Sequence, residues 1–346
     1  MSVRRPALVA LLALAAAALS AAVAAESWPA EVLSQSINLT SVEGAEPNDF
    51  YYDMSGASWN PQTRTLWVCR NGPGGDQSKF WALLEDGVGS FQVALRDGNR
   101  AEWTGFGDLE SMTQSDLSED VVYVLIEGEE RVKAYDVSVY GVARLLNDWN
   151  LRPSLPLNGG SGAEAVAFVP DSALAAAGFV DSTGTPTVST QGMGGLMFVG
   201  HQNGGSVFVF DLNRADSSFR FIGEYRTSYA ETAGMEFDRS TGVLYVWHDD
   251  NFDILESLSL ASTSIAGESA RRFTTLRIFD GPDHSNNEGI ALMPISDCKD
   301  GVRSLFMTVD GGGSSSLRWY RQFSDGCPLP ERPPAAPANL HRTDTR

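Results

Sequence analysis

Cysteine, lysine and histidine are all scarce in this chain, with three, three and four residues in 346. There is no Cys-x-x-Cys pair, no His-Glu-x-x-His, no Walker loop and no Gly-x-Ser-x-Gly elbow. A zinc-thiolate domain, a zincin, a P-loop enzyme and an elbow-type serine hydrolase are therefore not expected. Beyond residue 25 no stretch reaches 18 apolar residues, so no membrane-spanning helix is expected. Positive charge is also short: 25 basic residues face 44 acidic ones, a formal charge of −19. Such a surface repels nucleic acid and anionic lipid and concentrates cations. The near-absence of lysine beside abundant alanine and glycine reads as a coding bias rather than as function.

The first 25 residues have the anatomy of a secretory leader. Arg4 and Arg5 precede an almost unbroken Leu/Ala/Val run from Leu8 to Leu19, and Ala22-Val23-Ala24-Ala25 is a small-residue cleavage signal. Its removal moves the formal charge from −19 to −21, because two arginines and no acids leave. A secreted, extracellular or periplasmic, monomeric protein is expected. Of the three cysteines, Cys298 and Cys327 form the natural disulfide, and Cys69, inside Leu66-Trp67-Val68-Cys69, reads as a buried small hydrophobe. A loop of that length would stabilise the fold by roughly 3–4 kcal/mol on the chain-entropy account.

Between these ends the chain repeats itself. Five segments open at Asp53-Met-Ser-Gly-Ala, Asp108-Leu-Glu-Ser-Met, Gly162-Ala-Glu-Ala-Val, Glu231-Thr-Ala-Gly-Met and Asn286-Asn-Glu-Gly-Ile. Each passes through a turn into a second β-rich stretch (Leu66-Trp-Val-Cys, Val122-Tyr-Val-Leu, Leu196-Met-Phe-Val, Leu244-Tyr-Val-Trp, Leu305-Phe-Met-Thr) and then a third. A fourth is readable in four copies, and the last copy ends at Cys327-Pro-Leu-Pro without one. The spacing is close to 55 residues except across an Ala/Gly/Ser/Thr-rich insert at Ser172–Gly194, expected to be a surface loop. The pattern predicts an all-β propeller of four-stranded blades over residues 26–329, followed by a Pro/Ala-rich tail or linker at 330–346. Five blades are favoured and six are the alternative. Val32–Leu39 is the expected donor of the missing last strand, closing the ring and covering its free edge.

In an up-and-down unit the start of strand one and the end of strand two share a face. Aligned there, the first column reads Ser55, Glu110, Glu164, Ala233, Glu288, and the second reads Asn71, Glu127, His201, Asp249, Asp310, with His248 and Asp250 beside it. Carboxylates converging on one axis cannot all ionise without water or a cation between them. Oxygen donors without thiolates suit calcium first and magnesium or manganese second. Glu110, Glu164, Glu288, Glu127, Asp249 and Asp310 are the candidate metal ligands, and His201, His248, Asn71 and Arg70 the candidate ligand-binding residues. The alternative is structural: such acids can accept backbone N–H bonds and register one blade against the next.

Asp53-Met-Ser-Gly-Ala-Ser-Trp-Asn-Pro-Gln-Thr-Arg-Thr-Leu-Trp-Val and Ala233-Gly-Met-Glu-Phe-Asp-Arg-Ser-Thr-Gly-Val-Leu-Tyr-Val resemble the first and fourth repeats of the SdiA-regulated (YjiK-like) propeller family. The likeness covers about residues 50–322, with Glu110-Ser-Met, Glu164-Ala-Val and Ala233 departing from the family pattern. The resemblance implies a secreted or envelope propeller with a central metal, and it carries over to Glu110, Glu164 and Glu288. The Glu-Gly-Ile-Ala phrase is also similar to β-propeller and esterase-like phytases, whose Asp-rich calcium segments this sequence lacks. A binding or scaffold protein holding a cation for an unidentified small-molecule or protein ligand is therefore the first expectation. A calcium-dependent phosphoesterase or related hydrolase is the second, with Arg70 and Arg131 as its evident cationic clamp.

Overall fold

The computed structural model describes residues 23–72, 78–86, 89–157, 162–249, 252–282 and 286–328. The expected leader at 1–25 lies outside them up to residue 22, and the tail at 330–346 lies outside them entirely. The described chain is an all-β propeller, and among its residues no helix is long and apolar enough to cross a membrane.

Five antiparallel units follow one another. Their innermost strands are Met54–Asn60, Leu109–Thr113, Ala163–Pro170, Gly234–Asp238 and Asn287–Leu292. These touch in cyclic order, the fifth against the first, so the inner strands enclose an axis. Second strands (Thr65–Arg70, Val121–Ile126, Gly195–His201, Val243–His248, Arg303–Val309) and third strands extend each unit outward.

Burial explains the composition. Both faces of an inner or second strand pack on a neighbouring unit, so Met54–Asn60 and Gly195–His201 are buried throughout and carry apolar or small residues rather than an alternating pattern. An apolar layer of aliphatic and aromatic side chains fills each space between consecutive units. Trp59, Phe91 and Phe306 sit between the fifth and first units, and Tyr123, Trp149 and Phe168 between the second and third. At about 25 cal/mol per Å² of apolar surface removed from water, these layers are the main stabilising term.

The inner strands meet closely. A Cβ at Gly289 would lie 2.5 Å from the Ala57 nitrogen, and one at Gly56 would lie 2.8 Å from Ser111 Cα. That contact is why the repeat openings follow their polar residue with Gly, Ser or Ala.

The expected closing strand exists in shortened form. Ile37–Asn38 pairs with Trp319 and Arg318 on the third strand of the fifth unit, while Leu33–Gln35 is a 3-10 turn rather than strand. A carboxylate finishes the edge that this short strand leaves open. Buried Glu31 accepts the backbone N–H groups of Arg321 at 2.6 Å and Gln322 at 2.7 Å. Trp28 packs against Tyr320 with ring centroids 5.5 Å apart, and Ala25–Glu26 pairs in parallel with Ile278–Phe279 of the fourth unit.

Three further features depart from or complete the sequence reading. The insert expected to be a surface loop is partly helical: Asp171–Ala177 forms a helix ended by Gly178 at φ 63°, and it buries Leu174 beside Phe179 in the layer between the third and fourth units. Alanine's helix propensity and an apolar contact override the loop-like composition. In the first unit, Phe91–Val93 and Glu102–Thr104 share the outer edge of one third strand. Cys298 and Cys327 are disulfide-bonded with Cα atoms 5.8 Å apart, and Cys69 is a buried free thiol within its strand.

Removing the Glu31 carboxylate orphans two backbone donors, so Glu31→Ala should lower unfolding free energy by about 2–4 kcal/mol in urea denaturation. Glu31→Gln, which keeps an acceptor, should lose less.

Candidate axial site

The first-column residues are placed by β-bulges. Register between inner and second strand slips at Ser55, Glu110, Glu164 and the pair Glu288-Gly289. In the fourth unit the ladder runs regularly from Gly234, and Ala233 stands just before it. A bulge re-aims the extra residue out of the alternating pattern. Here it does so at one level in four of five units, and three of the four side chains are glutamates.

A second set of groups frames them. The Asn71, Glu127 and Asp310 N–H groups donate to the carbonyls of Asp53, Asp108 and Asn286 at 2.9, 2.9 and 2.8 Å, each two residues before the bulge residue of its own unit. In the third unit the same bond, to Gly162 at 2.8 Å, comes from Gln202. Gln202, not His201, is therefore the counterpart of Asn71, Glu127 and Asp310. His201 falls one residue short, and on a strand that turns the side chain to the opposite face.

From these positions side chains reach to the neighbouring unit. Asn71 Nδ2 donates to Asp108 Oδ1 at 2.9 Å and Glu110 Oε1 at 2.7 Å. Glu127 Oε1 accepts from the Gly162 nitrogen at 2.7 Å, and Gln202 Nε2 donates to Glu231 Oε1 at 3.1 Å. The Asp53 and Asp310 carboxyls are hydrogen-bonded across the seam between the first and last units. The polar groups thus form a belt that registers units as well as a cluster of acids.

Asp108, Glu110 and Glu127 can bring ligand oxygens within 4.8 Å of one another. Burial pushes the Glu110 carboxyl up to about 8 against the opposing Ser55 hydrogen bond, with the charges of Asp108, Glu127 and Asp310 adding to the rise. Glu164 is held well above the usual carboxylate range by burial and by Glu110, Glu127, Glu231 and Asp108. Glu288 is likewise raised by burial and by Glu164, Glu110, Asp249 and Asp310. All six expected metal-ligand candidates therefore lie within one mutually repelling group. Asp53 and Asp108 join it, and both stood in the sequence as the first letters of their repeat openings.

The histidines and the arginine sit elsewhere. His201 is fully buried, its Nδ1 accepting from the Asn203 nitrogen at 3.1 Å and its Nε2 3.7 Å from Glu130 Oε1. Burial pushes its pKa down to about 4, so the ring is neutral. His248 is equally buried, with Nδ1 on the Glu231 carbonyl and Nε2 3.1 Å from Glu256 Oε2. Arg70 donates to the carbonyls of Asn48 and Asp49 at 3.0 and 3.1 Å, beside the mouth rather than in it. Arg131 is matched by Glu129 at 3.3 Å and Asp148 at 3.2 Å. Asp250 lies outside the described residues.

At the opposite end of the inner strands, Arg239 of the fourth unit donates to the Gln114 and Ser115 carbonyls of the second and lies 5.5 Å over the Phe168 ring of the third. That guanidinium ties three units together at the far end of the inner strands.

No protein-family model matches the chain, and no curated protein does. Among solved structures, the Pseudomonas aeruginosa periplasmic gluconolactonase PpgL is similar over 83% of this chain, at 14% identity and a TM-score of 0.37. The match spans 61% of that protein's length. Nothing about function follows from a likeness at that level, and the resemblance to the SdiA-regulated family stands on the repeat motifs alone.

A carboxyl kept neutral in the folded chain contributes stability below its unfolded pKa and loses it as pH rises through the folded one. For Glu110 that window runs from 4.5 to about 8. Chelator-treated protein should therefore melt at a lower temperature at about pH 8 than at about pH 5.5, and Glu110→Gln should flatten the slope.

Proposed function

We propose that this chain is a secreted, five-bladed β-propeller that binds a divalent cation, calcium first, at the acidic mouth of its axis. It acts as a binding or scaffold protein. The observation that carries this reading is the set of four β-bulges at one level, which aim Glu110, Glu164 and Glu288 into a group with Asp108, Glu127, Asp249 and Asp310. Carboxyls held near one another at the expense of ionisation gain most from a counter-charge. The donors are oxygens of carboxylates, with the described imidazoles, His201 and His248, buried and engaged elsewhere, which favours a hard cation of flexible coordination. Glu110, Glu127 and Asp108 would form the core of the coordination, with Glu164, Glu288, Asp249 and Asp310 completing it.

Support for five blades rather than six comes from the five units and the apolar layers between successive ones. The disulfide Cys298–Cys327 suits an oxidising compartment, in keeping with the leader-like N-terminus.

Calcium should raise the melting temperature of the purified protein, and chelation should reverse the gain. Glu110→Gln combined with Glu288→Gln should weaken calcium binding at least ~10-fold in titration calorimetry while preserving the far-ultraviolet spectrum. A melting temperature indifferent to calcium and chelator, with no metal in elemental analysis, would sink the reading. Hydrolysis of phosphate esters or lactones by the calcium-loaded protein would instead favour the hydrolase alternative.

A further inference from the structure

Beside the acidic mouth, over the first unit, lies a cleft of about 610 Å³ whose lining includes Asn48, Asp49, Tyr52, Asp53, Arg70 and Lys79. Two cations, Arg70 and Lys79, meet three carboxylates in this lining, Glu46, Asp49 and Asp53, at the rim of the anionic site. Arg70 and Lys79 are cross-strand partners on the second and third strands, and both lie over the Trp81 indole, at 5.7 and 5.8 Å.

The surrounding chain holds them in place. Phe50 is fully buried with its ring centroid 4.8 Å from that of Trp81, which pins the loop leading into the first inner strand. The loop's carbonyls at Asn48 and Asp49 then accept from Arg70. Buried Asp49 is matched from below by Arg100 and by the Glu46 nitrogen at 2.8 Å, with Lys79 3.6 Å away. Glu102 ties Lys79 and Arg100 together at 2.7 Å each. Tyr52, 53% exposed, stands at the rim against Tyr51. Asp53 belongs both to this cleft and, through its bond to Asp310, to the acidic mouth.

We propose that the cleft takes the oxyanion of a small ligand, a carboxylate or a phosphate monoester, on Arg70 and Lys79. The ligand's other end reaches the cation at the mouth. This rests on the cation-binding reading above. A guanidinium and an ammonium fixed side by side offer charge-assisted donors to such a group, and the neighbouring cation offsets the field of the acids.

The test is calorimetric titration of the calcium-loaded full chain with glycerol 2-phosphate in one arm and lactate in the other, which separates the two oxyanion sources. At least one probe should bind. Arg70→Gln and Lys79→Gln should each weaken it at least ~10-fold while leaving calcium affinity within ~3-fold. If Arg70→Gln fails to fold, Lys79→Gln carries the test. Binding of neither probe to protein that does bind calcium, or binding indifferent to both substitutions, overturns the cleft assignment and leaves the cation reading standing. Arg70-dependent binding of a probe to protein that takes up no calcium does the reverse.

Discussion

The close approach of the inner strands is the constraint from which the rest follows. Units that converge on an axis bring their first strands into backbone contact, and only small side chains fit there. Gly56 abuts Ser111, and Gly289 abuts Gly56 and Ala57. The ladder accommodates this crowding with an extra residue just before the contact, and that residue is the one that projects into the mouth. Three of the acids at the mouth, Glu110, Glu164 and Glu288, are there because the bulges aim them there. The raised proton affinities of Glu110, Glu164 and Glu288 follow from the same crowding, since burial and neighbouring charge both favour the neutral form.

This arrangement lets one group of side chains serve two ends. Asn71, Glu127 and Gln202 each reach to the next unit and fix its position, Asn71 through the bulge glutamate Glu110 itself, while Glu164 and Glu288 stand among like charges. Registration and the proposed cation binding are therefore not rival roles for the face; the belt supplies the rigidity that an acid cluster needs to stay clustered. Arg239 links three units at the other end of the inner strands. The cleft over the first unit places Arg70 and Lys79 beside the acidic mouth, with Asp53 common to both.

Much of this was legible in the sequence because the repeat has a period. The openings put Glu110, Glu164 and Glu288 at equivalent places in the repeat, where the structure has its bulges, and the chain's missing last strand points to its own N-terminus. What escaped was whatever depends on a single residue of register or on distant partners. His201 and Gln202 are adjacent, and a one-residue slip moves a side chain from core to mouth. The bulge that decides which is which leaves no mark on composition. Glu31 finds its partners 290 residues away, so nothing local betrays it. The Ala-rich insert looked like loop because its buried residues, Leu174 and Phe179, are two among many small ones.

The central claim is that Glu110, Glu164 and Glu288 hold their protons until a cation replaces them. Calcium titration in two buffers of different ionisation enthalpy near pH 7 measures this directly, because the difference in heat counts protons released. The account predicts calcium binding with net release of one or more protons, diminished in Glu110→Gln. Calcium binding with no proton release, or no binding at all, would contradict it.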